Sequence, residues 1–120
     1  MKVFIADDSK VLCERLIEML SDVPGVEIIG HARDVAESLA AIKKLNPDIV
    51  ILDIRMPGGS GMDVLQALKQ GKQAPMVIML TNYPYPQYRK KCLGLGADYF
   101  FDKSTEFEKV TELFRHLRTL

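Results

Sequence analysis

Five polar side chains follow short apolar runs almost directly. Asp7 and Asp8 come after residues 2–6, Asp53 after 49–52, Thr81 after 76–80, and Lys103 just beyond 97–101. If those runs are strands of one parallel sheet, three carboxylates, a hydroxyl and an ammonium group meet along one edge of it. Carboxylates in close reach repel one another, and protonating one is the ready remedy unless a cation is present. A hard divalent ion with oxygen ligands is the natural partner, and Mg²⁺ suits a shallow site that keeps several waters. Such a site is incomplete without an incoming phosphate. A metal and Lys103 together would neutralise a phosphoryl group in flight. An Asp carboxylate can be its covalent acceptor, and the Thr81 hydroxyl could bond a phosphate oxygen.

Taken singly, each residue has a plainer explanation. Asp is frequent in caps and turns. Asp7 and Asp8 could serve the dipole of the helix that follows. Lys103 could be a solvated loop lysine, and Thr81 could simply end a strand. The plain account leaves unexplained why all five fall at the same end of the same sheet.

The elements that must position them repeat five times: a short apolar run, then a longer segment of helical period. Ser9 is predicted to cap the first helix, whose apolar stripe is Val11, Leu12, Leu16, Met19 and Leu20. Pro24-Gly25 ends that segment, and 26–30 reads as the second strand. Asp34 is predicted to cap a second helix with Val35, Leu39, Ile42 and Leu45 inward, stopped by Asn46-Pro47. The third strand, 49–52, is continuously apolar, as expected where helices cover both faces of a parallel sheet. A loop over 56–61 leads to a third helix at 62–70. A fourth strand spans 76–80, a weak fourth helix 84–94 and a fifth strand 97–101. Ser104 is predicted to cap the last helix, carried inward by Phe107, Val110, Leu113, Phe114 and Leu117 and running to the chain end at Leu120. The result is an α/β fold, (βα)₅, with right-handed crossovers around a doubly wound parallel sheet. Ligands bind beyond the carboxyl ends of such strands, at the switch point in strand order.

Composition narrows the class. The 120 residues suit one domain, 1–120, and 48% hydrophobic with 27% charged residues is a globular mixture. Sixteen basic and sixteen acidic residues cancel, so no basic excess marks these residues as a nucleic-acid surface. No apolar run approaches the roughly 20 residues needed to span a bilayer, and no signal-peptide core fits before Asp7-Asp8. A cytoplasmic location is expected. Cys13 and Cys92 lack metal-ligand spacing and read as helix residues in a reducing compartment. His31 and His116 have no partner at metal or triad spacing.

Together, Asp7-Asp8, Asp53 with Met56-Pro57 and Gly61 behind it, Thr81, and the run from Gly96-Ala97-Asp98 through Tyr99-Phe100-Phe101-Asp102 to Lys103 identify a family. Over essentially its full length the chain resembles the response-regulator receiver domain of two-component signal transduction, similar to chemotaxis regulators. The resemblance implies a flavodoxin-like receiver fold of strand order 2-1-3-4-5, Asp53 as phosphoacceptor, and Mg²⁺ held by Asp8, Asp53 and the Arg55 carbonyl, with Asp7 acting mainly through water. Lys103 would contact the phosphoryl group. Thr81 would move toward it, letting Phe100 swing inward and reshape the surface of helix four, strand five and helix five. The donor would be a sensor histidine kinase or a phosphotransfer protein, with small phosphodonors as a second route. The readout would be a downstream protein, an effector domain outside this chain or a phosphorylation-dependent homodimer. The domain would catalyse only its own phosphorylation and dephosphorylation, and is no enzyme otherwise.

Three positions and one segment depart from the commonest pattern of that family. Phe100 stands in place of Tyr, Ser104 in place of Pro, and Asn82 in place of a small residue. Tyr83-Pro84-Tyr85-Pro86 predicts an irregular, late start to helix four, because prolines fit only a loop or a first helical turn. Arg55 and Tyr83 flank the acceptor, and their bulk predicts restricted water access and slow dephosphorylation. Three other functional classes fit the sequence less well. A flavodoxin-like cofactor module would place a Gly-rich phosphate loop where Asp7-Asp8 stands. A pseudo-receiver would lack acceptor, metal or lysine residues, and none is lost. A hydrolase acting on external substrates would need a cap or substrate pocket that the sequence does not supply.

Overall fold

The computed structural model describes residues 1–118, and within them strand and helix alternate as the apolar runs predict. β1 (Lys2–Ala6) leads into α1 (Lys10–Ser21), where the Ser9 hydroxyl accepts from the Leu12 amide at 3.2 Å. That bond satisfies one of the amides a helix start leaves without a partner. α1 buries Leu12, Leu16 and Leu20, one every four residues, whereas Val11, expected on the stripe, is 69% exposed. Val11 lies about 100° round the helix from Leu12 and so misses the buried line.

β2 (Glu27–Ala32) runs slightly later than the 26–30 reading, and α2 (Val35–Leu45) is capped by Asp34, whose carboxylate accepts from the Glu37 amide at 2.7 Å. Asn46 takes a left-handed φ of 50° and stops the helix. All four residues of β3 (Ile49–Leu52) are buried. The expected loop after it holds a two-residue hairpin, β4 (Arg55–Met56) against β5 (Gly59–Ser60). α3 (Gly61–Lys69) starts at Gly61 because Ser60 caps it. The Ser60 hydroxyl accepts from the Met62 amide at 3.1 Å, and the Asp63 carboxylate accepts from the Ser60 amide at 3.0 Å.

After β6 (Met76–Thr81) comes α4 (Pro86–Gly94), which starts late as the prolines require. Pro86 fills its first turn, and no side chain caps it. β7 (Tyr99–Asp102) starts two residues later than the 97–101 reading. α5 (Phe107–Arg118) is not capped by Ser104, which is a correction. The Ser104 amide and hydroxyl both donate to the Asp102 carboxylate, at 2.9 and 2.7 Å, and Thr105 Oγ1 donates to its other oxygen at 3.1 Å. Asp102 thus organises a turn that uses up the hydroxyl and delays the helix to Phe107. Phe107, Val110, Leu113 and Phe114 are buried as expected, and residues 119–120, where the helix was expected to end, lie outside the described residues.

The five long strands are parallel in the order β2-β1-β3-β6-β7. Counting those strands alone, this is the 2-1-3-4-5 order of the flavodoxin-like receiver fold. Phe4, Val50 and Val77 pack into a core beneath α2, α3 and α4, and Val3, Ile51 and Ile78 into a second beneath α1 and α5. Each such large apolar side chain contributes about 1.5–3 kcal/mol on burial. Strand order reverses between β1 and β3, so the ends of those two strands frame the crevice. Among the described residues no helix is long and apolar enough to cross a membrane. Cys13 and Cys92 are buried and unpaired, and burial pushes the Cys13 thiol up to about 11, so it stays protonated at neutral pH.

Candidate functional site: an acidic pocket with a buried lysine

The sheet's hydrogen bonding continues one residue past the strands, which fixes the site from its backbone outward. The Asp7 amide donates to the Ala32 carbonyl at 3.0 Å, the Asp53 amide to Ala6 at 3.0 Å, and the Lys103 amide to Thr81 at 2.9 Å. Asp7, Asp8 and Asp53 thereby present carboxylate oxygens within 4.8 Å of one another, Asp7 and Asp53 buried and Asp8 exposed. The Lys103 ammonium reaches between them, 2.7 Å from Asp7 and 3.0 Å from Asp53, with 7% of its side chain exposed. Four of the residues singled out in the sequence are therefore in one pocket. Thr81 ends the neighbouring strand fully buried, its Oγ1 accepting from the Tyr83 amide at 3.0 Å.

Burial, which disfavours charge, raises the pKa of Asp7. The Lys103 hydrogen bond opposes that rise, and the Asp53 charge adds to it. For Lys103 burial pulls downward, but the hydrogen bond to Asp7 and the charges of Asp53 and Asp7 outweigh it and hold the pKa above the ordinary lysine value. The lysine balances one of three carboxylates. The remaining oxygen-only donor set fits a hard divalent cation.

The floor of this pocket depends on a glycine. A Cβ on Gly61 would lie 1.7 Å from the Asp53 carbonyl oxygen, and the Gly61 amide donates to Ile54 at 2.6 Å. Only a residue without a side chain lets α3 start so close behind Asp53. The rim is formed by Arg55, exposed on β4, whose guanidinium lies 3.9 Å from the centroid of the Tyr83 ring. A contact of this kind is worth about 0.5–1 kcal/mol at an exposed site. The ring of Phe100 lies inside the core at 5% exposure, and Arg89 donates to the Phe100 carbonyl at 3.2 Å.

Three participants escaped the sequence reading. Asp102 had a signal, since an Asp two and three residues before Ser and Thr can fold their hydroxyls onto its carboxylate. Tyr88 and Arg89 had none, because the cleft that Tyr88 lines with Arg55 and the bond from Arg89 to the Phe100 carbonyl are formed only by the fold.

An open, doubly wound parallel sheet with clustered carboxylates and a buried lysine at its switch point defines a flavodoxin-like α/β protein whose acidic edge is fit for a cation. The family model described as the response regulator receiver domain matches residues 3–115, and the chain belongs to that family. It is 32% identical over 119 residues to a protein-glutamate methylesterase/protein-glutamine glutaminase of Methanospirillum hungatei, covering 98% of this chain and 35% of that protein. It is 33% identical over 114 residues to the Bacillus subtilis transcriptional regulatory protein YvfU, covering 95% of this chain and 57% of that one. The chain thus spans about a third of the first relative and little more than half of the second. Among solved structures, the CheX–CheY–BeF₃–Mg²⁺ complex of Borrelia burgdorferi superposes with a TM-score of 0.80 at 31% identity, covering 95% of this chain and 89% of that one.

Proposed function

We propose that this receiver domain is a phosphoacceptor, with Asp53 taking a phosphoryl group from a histidine kinase or a phosphotransfer protein. One observation carries the reading: Asp53 is buried, 3.0 Å from the Lys103 ammonium, and shares a cluster of carboxylate oxygens with Asp7 and Asp8. In the transfer, an Asp53 carboxylate oxygen attacks phosphorus, the donor's P–N bond breaks, and its electron pair stays on the imidazole, which takes up a proton. Lys103 is placed to neutralise an oxygen of the moving group. Asp7, Asp8, Asp53 and the Arg55 carbonyl would hold Mg²⁺, which when bound supplies further charge neutralisation. The relative solved with BeF₃ and Mg²⁺ supports both the metal and the phosphoryl mimic for this pocket.

The switch runs through Thr81 and Phe100. Phosphorylation draws the Thr81 hydroxyl from the Tyr83 amide to a phosphoryl oxygen. The inward Phe100 ring, braced by Arg89, is the arrangement that this movement locks, and the surface of α4, β7 and α5 changes with it. Residues 1–120 act as one cytoplasmic domain that turns over only its own phosphate. The readout is a downstream protein, an effector domain outside this chain or a homodimer formed on phosphorylation. The direct test is fluorine NMR of the protein with Mg²⁺ and beryllofluoride. Wild type is expected to show a bound resonance that Asp53→Asn abolishes, and uptake that survives Asp53→Asn would overturn the assignment.

A further inference from the structure

Among the described residues α4 is the least anchored helix: of its nine residues only Cys92 is buried, and no side chain caps its first turn. A helix this short is marginal in water, so contacts must hold it in place. Near its start Arg89 donates to the Phe100 carbonyl, and the aromatic side chains gather beside Arg55. The guanidinium lies 3.9 Å from the centroid of the Tyr83 ring and shares a cleft with Tyr88, in the first turn of α4. Tyr85 completes the cluster, its ring centroid 6.4 Å from Tyr83 and 5.6 Å from Tyr88. Arg55 sits two residues after Asp53, and it lines with Asp8 and Tyr88 a single cleft of about 540 Å³. Among the described residues Arg55 makes no ion pair, although the Asp8 carboxylate borders the same cleft.

We propose that Arg55 is a second reader of the phosphoryl charge: parked on the Tyr83 ring of the aromatic cluster in the resting protein, its guanidinium turns to the phosphoryl oxygens on Asp53 and so releases the start of α4. This inference rests on the phosphoacceptor reading. Its physical basis is competition for one guanidinium. An exposed aromatic face holds it weakly, whereas phosphoryl oxygens accept charged, forked hydrogen bonds that match its planar geometry. The route runs from the acceptor loop to α4 through side chains, and meets the Thr81 switch at Tyr83, whose amide donates to Thr81.

Hydrogen exchange of the amides of residues 86–94 tests it, with fluorine NMR on the same samples reporting bound beryllofluoride. In wild type, Mg²⁺ with beryllofluoride is expected to lower α4 protection roughly tenfold. Arg55→Gln is expected to show that lower protection without ligand, and to change by less than about twofold when ligand is added. Protection in β1 and β3 reports that the variant is folded. Should Arg55→Gln fail that control, Tyr83→Leu, which removes the ring under the guanidinium and leaves the carboxylates and Arg55 in place, is expected to lower α4 protection in the ligand-free protein. Bound beryllofluoride with unchanged α4 protection would overturn the inference and leave the phosphoacceptor reading standing. So would wild-type protection of α4 in ligand-free Arg55→Gln, or in Tyr83→Leu where that variant stands in. Absence of any bound resonance in wild type would remove both.

Discussion

The Lys103 ammonium serves two masters, Asp7 at 2.7 Å and Asp53 at 3.0 Å, and cannot neutralise both. Asp7 bears the consequence, its pKa raised by burial. A raised carboxylate pKa means that the ionised form is disfavoured in the folded state, so this group subtracts stability as pH rises through its folded value. Asp7→Asn is therefore expected to raise the Tm of the metal-free protein at neutral pH, by about 4 °C for each kcal/mol relieved in a domain of this size. Mg²⁺ binding, read by titration calorimetry, should weaken in the same variant. An unchanged or lower Tm would contradict the charge account. At the rim the Arg55 guanidinium lies 3.9 Å from the centroid of the Tyr83 ring. The bulk of both side chains is expected to limit the approach of water whether the guanidinium rests on the ring or on the phosphoryl oxygens. The double variant Arg55→Ala, Tyr83→Ala is expected to shorten the aspartyl-phosphate lifetime roughly tenfold by opening the site to water. A lifetime equal to or longer than that of wild type would count against the shielding role.

At the scale of elements, the turn between β7 and α5 is held by the Asp102 carboxylate, whose pKa is lowered by the Ser104 hydroxyl and amide. Glu106 is lowered by the Lys109 ammonium. Groups depressed on folding contribute stability above the ordinary carboxylate pKa and lose it as pH falls through their folded values, below about pH 4. The difference in urea midpoint between wild type and Asp102→Asn should thus be largest near neutrality and close in acid. Gly61→Ala should destabilise by about 3 kcal/mol or more through forced displacement of backbone, and beryllofluoride uptake should fall with it. The strands and their terminal Asp7, Asp8, Asp53, Thr81 and Lys103 were readable because strands buried on both faces appear as unbroken apolar runs. The start of α5 was misread because a hydroxyl that suits a cap suits the Asp102 turn better. The β4–β5 hairpin is two residue pairs long, too short to leave a periodic signal. The clustering of Arg55 with Tyr83 and Tyr88 depends on how β4 and α4 are packed, which no local pattern encodes.

Seen whole, the molecule is two apolar layers bonded to opposite faces of one sheet, with α2, α3 and α4 on one side and α1 and α5 on the other. Cation binding at the sheet's edge should stabilise both layers together, because the ligands hang from β1 and β3, central to the order. With Mg²⁺ at ten times its dissociation constant, linkage gives about 1.4 kcal/mol, seen as one cooperative shift in the thermal transition. Two separate transitions would mean that the layers melt independently. The bare α-carbon at position 61 has a last consequence, for how such proteins diversify. It fixes the floor beneath the Asp53 carboxylate in backbone geometry, while the side chains overhanging from 55 and 83 meet each other above it. Under the phosphoacceptor reading the two are open to separate change: exchanging the overhanging side chains between relatives is expected to reset a signalling clock without re-engineering the floor.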